Sequence, residues 1–280
     1  MSKLIPFCGL PRTGSTLLCN ILGQHPDITL SADSVLPDKI TNIMNYTEKL
    51  IQESQYDADL TYKLHGDFLM SGISSWISNL SDTKFYLDKC RGWSNAFNFI
   101  FSKYPDIKVI FTIRDLRGIY LSFDRLSNTS VLLNPLTDYY QEITEKNEDV
   151  DFLNSRISHF LNGDMIKQHL ISLREIIELD RPYLNNIKIV KYEDFMRSPD
   201  QTLSEICDFV GMDNYKFDLN NITQVNYNDC IYLPYGYHKL RKTLTPNIPN
   251  YDDKLRKSAQ DKIFKDFDWY YSIFYPEVLR

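Results

Sequence analysis

The stretch LIPFCGLPRTGSTLL, residues 4–18, decides how this chain folds. Its first five residues, Leu4–Cys8, are apolar and predict a short buried strand, and Thr16–Gly23 follow as a helical pattern. Gly9 and Gly14 bracket the loop that leads from the strand into the helix. Loops of this kind turn backbone N–H groups and the positive end of a helix toward an anion. The stretch therefore predicts a phosphate-binding corner at the edge of a parallel sheet.

One position in this loop departs from the pattern of nucleoside-triphosphate enzymes. The spacing fits GxxxxGK[ST], but Ser15 stands where the lysine belongs. That lysine reaches the β- and γ-phosphates, so its absence counts against ATP or GTP. Arg12 supplies positive charge from within the loop instead. The alternative is an ordinary strand–turn–helix corner in which Ser15 or Thr16 caps the helix.

A second motif, IRDLRGIYLS at residues 113–122, also joins a strand to a helix. The β-branched run Lys108–Ile113 predicts the strand, and Arg114 follows at its carboxyl end. Ser122 lies two helical turns further on, so that Arg114 and Ser122 can point at one anion. Ligands of open α/β sheets bind at this edge. The competing interpretation is a capped surface helix in which Arg114 pairs with Asp115.

Strand and helix patterns alternate along the rest of the chain and predict an α/β fold with a central parallel sheet flanked by helices. Further strands are expected at Phe85–Leu87 and Ile187–Tyr192, and further helices at Ser94–Lys103, Gly118–Leu126, Asp151–Glu178 and Thr202–Val210. The stretch from residue 214 to about residue 252 reads as irregular, and a last helix follows it. No linker divides the chain, so residues 1–280 are expected to form a single domain.

The composition of the 280 residues is that of a folded globular protein, with 43% hydrophobic and 24% charged residues. The formal net charge is -6, so a general coat of DNA or RNA is not expected. The 5 cysteines lie far apart without a CxxC pair, which favours reduced thiols and a cytoplasmic setting. No apolar run approaches the roughly 18 residues of a membrane span. These features predict a cytoplasmic protein with no nucleic-acid partner and no membrane span.

Both motifs resemble those of sulfotransferases that use 3′-phosphoadenosine-5′-phosphosulfate (PAPS). The loop and the His25-Pro26 pair behind it resemble most closely the tyrosylprotein-sulfotransferase-like branch, and YEDF at residues 192–195 resembles a further segment of the family. The resemblance covers residues 4–35, 84–127 and 187–211. It implies a P-loop-type three-layer core, with PAPS as sulfuryl donor and adenosine 3′,5′-bisphosphate (PAP) as product.

The resemblance also implies which residues bind the nucleotide. Arg114 and Ser122 would hold the adenosine 3′-phosphate, and Tyr192 would line the same site. A basic loop from the C-terminal region would cover that phosphate, and its candidate residues are Lys239, Arg241 and Lys242. The 5′-phosphosulfate would lie on the loop residues Pro11, Arg12, Thr13, Gly14, Ser15 and Thr16.

Three catalytic candidates follow for the in-line transfer of a sulfuryl group to a hydroxyl or amine. Arg12 lies beside the leaving phosphate and would stabilise charge there. Lys89, at the end of the expected strand Phe85–Leu87, matches a family lysine that contacts the bridging oxygen. The tyrosylprotein branch places a glutamate eight residues beyond its histidine, where this chain has Asp33. Asp33 is therefore the expected general base, with His65 as the fallback, and the alternative is that Asp33 or its neighbour caps the next helix.

Other functions and several acceptors stay open at this point. No metal is expected, because the 5 histidines are scattered and a sulfuryl group carries less charge than a phosphoryl group. A small-molecule P-loop kinase would need Arg12 in place of its lysine and an acidic residue for magnesium at a strand end. A third reading is an inactive nucleotide-binding module. The acceptor can be a peptide tyrosine, a glycan, a lipid or a small phenol or alcohol, and a homodimer is open as well.

Overall fold

The computed structural model of the chain describes residues 2–32, 34–53, 57–127, 161, 163–178, 183–224, 240–251 and 253–279. Five strands in these ranges form one sheet, and every neighbouring pair is parallel. The strands are β1 Lys3–Gly9, β2 Ile28–Ala32, β3 Phe85–Lys89, β4 Val109–Ile113 and β5 Ile187–Lys191. Their order across the sheet is β2-β3-β1-β4-β5. The predicted α/β fold with a central parallel sheet is therefore confirmed.

The register of the sheet brings the important strand ends to one edge. Phe7 of β1 lies beside Lys89 at the end of β3, and Gly9 lies beside Thr112 of β4. The last residues of β4 and β5 are likewise paired. Because all five strands run in the same direction, the loop after β1 and the segments after β3, β4 and β5 meet at this edge.

Helices follow or connect these strands. A 3₁₀ helix, Arg91–Ala96, leads out of β3. None of the helices in the described ranges combines the length and the apolar character that a bilayer crossing requires. The α-helices in those ranges are α1 Ser15–Leu22, α2 Leu36–Glu53, α3 Ala58–Leu80, α4 Phe97–Lys103, α5 Leu116–Ser127, α6 Asp164–Glu178, α7 Tyr192–Arg197, α8 Pro199–Val210, α9 Lys257–Asp266 and α10 Asp268–Phe274.

Apolar side chains cover both faces of the sheet, because successive residues of a strand point to opposite sides. Phe111 of β4 belongs to a buried cluster with Trp93 and with aromatic residues of α10. Phe7 of β1 belongs to a second cluster with Leu18 of α1 and with residues of α8. The sheet is thus enclosed between two layers of helices, which leaves its carboxyl edge as the place for a site.

The four strands expected from the sequence lie within two residues of their expected positions, and β2 is an additional edge strand that the pattern did not indicate. The expectation of one long helix over Asp151–Glu178 is wrong, because Gly163 is not helical and α6 begins at Asp164, with the Gly163 carbonyl accepting from the Ile166 and Lys167 N–H groups. Residues 151–160 and 162 lie outside the described ranges. The expectation of one last helix is wrong. Two helices meet at Phe267, whose backbone leaves the helical region (φ -125°, ψ 34°) while its side chain is buried.

Candidate active site

The loop after β1 is built on close contact with β4. Gly9 has a φ of 148°, and a Cβ there would lie 2.2 Å from Thr112 Oγ1, so glycine is required. The Leu10 N–H donates to the Thr112 carbonyl at 3.0 Å. Thr13 is buried, its hydroxyl donates to the Leu10 carbonyl at 2.8 Å, and it lies 2.7 Å from Thr112 Oγ1. Pro11 is buried as well, so Pro11 and Thr13 shape the loop through packing and turn their side chains inward.

Arg12 is the only residue other than glycine with a positive φ (61°) within the described part of the chain. Such a left-handed conformation costs an ordinary residue roughly 1–2 kcal/mol, so its surroundings must enforce it. The Arg12 carbonyl accepts a hydrogen bond from Arg114 Nη1 at 3.0 Å, and Arg12 Nε donates to Ser122 Oγ at 2.9 Å. The two arginines and Ser122 therefore form one unit. The sequence predicted that Ser122 and Arg114 point at one anion. In the structure the hydrogen-bond partner of the Ser122 hydroxyl is Arg12.

Lys89 lies at the end of β3 and is 8% exposed. Its Nζ donates to Thr16 Oγ1, in the first turn of α1, at 3.1 Å. Thr16 occupies the Ser/Thr position of the GxxxxGK[ST] spacing, and in nucleoside-triphosphate enzymes that hydroxyl binds Mg²⁺. An ammonium group therefore sits against the hydroxyl that elsewhere holds a metal ion. The first turn of α1 carries no side-chain cap, so its positive end also adds to the field at this point.

Arg114 follows β4 and is held between neighbouring groups. Its guanidinium lies 4.1 Å from the centre of the Tyr192 ring, at the start of α7. Its Nε is buried without a hydrogen-bond partner among the described residues. Asp115 does not pair with Arg114; its carboxylate accepts from Arg117 Nη2 at 2.6 Å and Nε at 3.0 Å. The interpretation of Arg114 as half of a surface ion pair with Asp115 is therefore wrong, and Arg114 is one of the residues that line the cavity described below.

The Asp115–Arg117 pair joins a buried polar network behind Arg114. Tyr271 of α10 donates to Asp115 Oδ1 at 2.8 Å. Glu193 accepts from the Asp115 N–H at 3.2 Å and from the Tyr275 hydroxyl at 2.9 Å. Burial raises the pKa of Glu193, and these hydrogen bonds offset only part of that rise. The C-terminal helices are thus fastened to the start of α5, where Arg114 stands.

A cavity of about 460 Å³ opens at this edge of the sheet. It contains four cationic side chains, Arg12, Arg114, Arg241 and Lys254. The remaining lining includes Gly14, Ser15, Thr16, Gly118, Ser122, Tyr192, Met196, Leu244, Thr245 and Asn247. The cavity therefore combines a strong positive charge with apolar and aromatic surface, which suits a phosphorylated aromatic ligand.

The basic C-terminal segment reaches the cavity through part of its expected set. Arg241 lines it, while Lys242 is exposed outside the lining and Lys239 lies outside the described residues. Lys254 lines it too, although neither motif of the sequence indicated a role for it. The one available signal was the tetrapeptide Lys-Leu-Arg-Lys, which occurs at residues 239–242 and again at 254–257. In the described part of the chain, Arg241 of the first copy and Lys254 of the second line the same cavity.

The two candidates for a general base differ in what the structure describes. Asp33 lies outside the described residues. Its neighbour Ser34 caps α2, with Oγ accepting from the Leu36 N–H at 3.0 Å, and its own N–H donates to the Lys89 carbonyl at 3.4 Å. The His65 ring nitrogen Nδ1 is bonded to the Thr47 hydroxyl, so this side chain joins α3 to α2. Ser34 is therefore tied to the end of β3 through the Lys89 carbonyl.

Asp88, the residue before Lys89, is fully buried. One of its oxygens accepts from Trp93 Nε1 at 2.8 Å. Burial raises the pKa of Asp88 to about 7. Within the described ranges, no three His, Cys, Asp or Glu side chains lie close enough together to bind a metal ion.

The parallel sheet, the phosphate loop and the cationic cavity define an α/β nucleotide-binding protein of the P-loop type. The chain belongs to the sulfotransferase family, because the model of that family matches residues 5–216. A search of curated proteins gives no match. The finer resemblance to one branch of the family is taken up below.

Solved structures of sulfotransferases share the fold. The sulfotransferase domain from the curacin biosynthetic pathway is 15% identical over 95% of this chain and 97% of that chain, with a TM-score of 0.50. The sulfotransferase domain of the Synechococcus PCC 7002 olefin synthase is 17% identical over 95% and 94%, with a TM-score of 0.50. Mouse sulfotransferase SULT7A1, solved in complex with PAP, is 14% identical over 95% and 82%, with a TM-score of 0.51.

Proposed function

We propose that this protein is a PAPS-dependent sulfotransferase that moves a sulfuryl group from PAPS to a hydroxyl or amine without a metal ion. In that reaction the sulfur–oxygen bond to the 5′-phosphate breaks, a bond from sulfur to the acceptor forms, and the acceptor's proton passes to a base. The chain must therefore bind the nucleotide, stabilise charge on the oxygen atoms and accept one proton. The reaction class follows from membership of the sulfotransferase family, and the role of each residue is proposed from its position in the structure.

The observation that carries the proposal is the contact between Lys89 Nζ and Thr16 Oγ1 at 3.1 Å. In a nucleoside-triphosphate enzyme this hydroxyl binds Mg²⁺, which bridges and neutralises phosphate oxygens. Here a buried ammonium group takes that place, at the uncapped start of α1. We assign Lys89 to the bridging oxygen, where negative charge grows as the bond breaks. Arg12, in the loop between β1 and α1, is the second catalytic candidate.

The cationic lining fits a nucleotide with two phosphate positions. The loop residues Gly14, Ser15 and Thr16 line the cavity, and so do Arg114 and Ser122. We assign the former to the 5′-phosphosulfate and the latter to the 3′-phosphate. Arg114 lines the cavity, and its guanidinium carries donors of the kind that phosphate oxygens accept from.

Arg241 and Lys254 add two further cations to this wall, and both are exposed. We propose that Arg241 and Lys254 cover the 3′-phosphate together with Lys239, which the resemblance to the family had indicated. Tyr192 stacks on the Arg114 guanidinium and lines the cavity, so we include it among the nucleotide-binding residues. The PAP in the mouse sulfotransferase structure belongs to that protein; its use by this chain is part of the proposal.

For the general base we keep Asp33. The hydrogen bond from the Ser34 N–H to the Lys89 carbonyl ties the neighbouring segment to the end of β3. His65 is bonded to Thr47 between two helices, which favours a structural role for it. The loop resembles that of the tyrosylprotein branch, so a peptide tyrosine is the first acceptor to test, with glycan, lipid and small phenolic acceptors beside it.

A kinase finds less support in the same residues. Asp88 is the acidic residue at a strand end beside the loop, but it is fully buried and bonded to Trp93. The strand on the other side of β1 is followed by Arg114, a cation. Asp88 is a buried carboxyl group and Arg114 is a cation, so neither strand end offers the accessible carboxylate that a magnesium site needs.

Nucleotide binding separates the proposal from its competitors. Isothermal titration of the whole chain with PAP and with ATP, each with and without Mg²⁺, gives the affinities. We expect PAP to bind in chelator as well as in Mg²⁺, and ATP to bind far more weakly. Tight binding of ATP that needs Mg²⁺ would favour a kinase, and binding of neither nucleotide would favour an inactive module. Adenosine 5′-monophosphate (AMP), which lacks the 3′-phosphate, is the matched control ligand.

A further inference from the structure

Tyr251 lies beside Arg114, outside every motif that the sequence indicates. It is 9% exposed, and its hydroxyl donates to Glu193 Oε1 at 3.5 Å. Burial raises the pKa of Tyr251, and the neighbouring Arg114 guanidinium lowers it. Gly118 permits this approach, since a Cβ there would lie 2.6 Å from the Tyr251 hydroxyl and 2.7 Å from Arg114 Nε. The tyrosine hydroxyl therefore stands between a cation of the cavity wall and a buried carboxyl group.

Tyr251 is one of three groups that orient the Arg114 guanidinium. The Tyr192 ring stacks on it at 4.1 Å, and the Arg12 carbonyl accepts from its Nη1 at 3.0 Å. A guanidinium carries five donors in one rigid plane, and it reads a phosphate well only when that plane is fixed. The Tyr251 side chain limits the movement of the Arg114 guanidinium on the side of its Nε atom, next to Gly118.

The position of Tyr251 is set by residues that do not line the nucleotide cavity. The Arg117 guanidinium lies 4.5 Å from the centre of its ring, and Arg117 is itself paired with Asp115. Glu193 is 5% exposed and also accepts from the Asp115 N–H at 3.2 Å. The hydroxyl thus belongs to a rigid, buried framework, and through it that framework touches Arg114.

We propose that Tyr251 is a positioning residue for the 3′-phosphate end of the site, oriented by Glu193 and acting through Arg114. The proposal rests on the proposed function, because it requires that Arg114 reads a 3′-phosphate. It goes beyond that function by giving the C-terminal segment a defined part in nucleotide selection. Discrimination between PAP and AMP is the quantity that Tyr251 controls.

The test compares Tyr251→Phe with Tyr275→Phe. Tyr275 donates to Glu193 Oε2 at 2.9 Å, a shorter bond to the same carboxyl group. Neither tyrosine lines the nucleotide cavity, but the Tyr251 hydroxyl lies next to Gly118 and Arg114, whereas the Tyr275 ring lies against Lys191 Nζ, 4.8 Å from its centre. Each variant loses one hydroxyl from the same network. We expect Tyr251→Phe to weaken PAP binding by about three- to tenfold and to leave AMP binding unchanged, the range for one lost hydrogen bond. Tyr275→Phe should lower the melting temperature and keep the ratio of the two affinities.

Enzyme kinetics give a second readout. Since the 3′-phosphate does not react, Tyr251→Phe should raise the KM for PAPS and change kcat little. If Tyr251→Phe and Tyr275→Phe shift both affinities alike, the network only supports the fold and the proposal fails. A parent chain that does not distinguish PAP from AMP overturns this proposal and the proposed function together. Discrimination that survives in Tyr251→Phe overturns this proposal alone.

Discussion

Replacement of Gly118 by alanine sets a methyl group against two polar atoms at the nucleotide cavity. The new Cβ would lie 2.6 Å from the Tyr251 hydroxyl and 2.7 Å from Arg114 Nε, whereas ordinary contacts begin at 3.4 Å. The missing space is about 0.7–0.8 Å on each side, and steep repulsion forbids such overlap. Both atoms belong to side chains, so the strain is relieved by moving Arg114, Tyr251 or both.

The expected effect on nucleotide binding follows from that displacement. A hydrogen bond to a charged group contributes about 1.5–3 kcal/mol, so Gly118→Ala should weaken PAP binding by about 10- to 100-fold. AMP should lose little, because the contact concerns the 3′-phosphate. Alanine is favoured over glycine inside a helix by about 1 kcal/mol, which offsets part of the strain and keeps the variant folded.

Isothermal titration with PAP and AMP, together with thermal unfolding, measures these quantities. Gly72→Ala is the matched control, since Gly72 also lies within a helix, α3, and an added Cβ there meets nothing within 4 Å. That control should gain stability and bind PAP as the parent does. A Gly118→Ala chain with the PAP affinity of the parent would refute the reasoning that Tyr251 and Arg114 together read the 3′-phosphate.

Three further variants test the remaining roles. Lys89→Ala should depress turnover with every acceptor while changing PAP affinity modestly, because its contact strengthens as the bond breaks; a large loss of PAP affinity at unchanged turnover would contradict this. Asp33→Asn should slow transfer by about 10²–10⁴-fold for an acceptor of high pKa and much less for an acidic phenol; equal losses for both acceptors would make Asp33 a helix cap. Burial raises the pKa of Asp88 to about 7, so the folded chain holds a proton that the unfolded chain releases near pH 4, and stability falls as pH rises between these values. Asp88→Asn should remove that slope in urea unfolding at several pH values, and an unchanged slope would show that other groups cause it.

The parts of the site that are continuous in sequence were open to prediction. The loop at residues 9–16 and the motif at residues 113–122 each follow a strand, and parallel strands deliver their ends to one edge. Strand order was not readable, yet any order with β1 beside β4 brings these two motifs together. That adjacency is what lets Arg114 Nη1 reach the Arg12 carbonyl at 3.0 Å.

The remaining parts depend on packing over long separations. Lys254 and Tyr251 reach the cavity region because buried bonds such as Tyr271 to Asp115 fasten the C-terminal helices to α5. These partners are 156 residues apart, and no periodicity links them. The strand β2 escaped prediction for a related reason: it is a five-residue edge strand with a partly exposed pattern, stabilised by pairing with β3.

The central claim, transfer of a sulfuryl group from PAPS, is tested most directly by following both products of one reaction. The chain is incubated with PAPS in chelator and with a panel containing a tyrosine peptide, a glycan, a lipid alcohol, a small phenol and an amine. Mass spectrometry then measures the sulfated acceptor and the released PAP. We predict that one acceptor gains a single SO₃ group, with one PAP formed per product, and that Lys89→Ala largely abolishes both signals. Intact PAPS with every acceptor, or PAP release that is the same in the parent and in Lys89→Ala, would contradict the account.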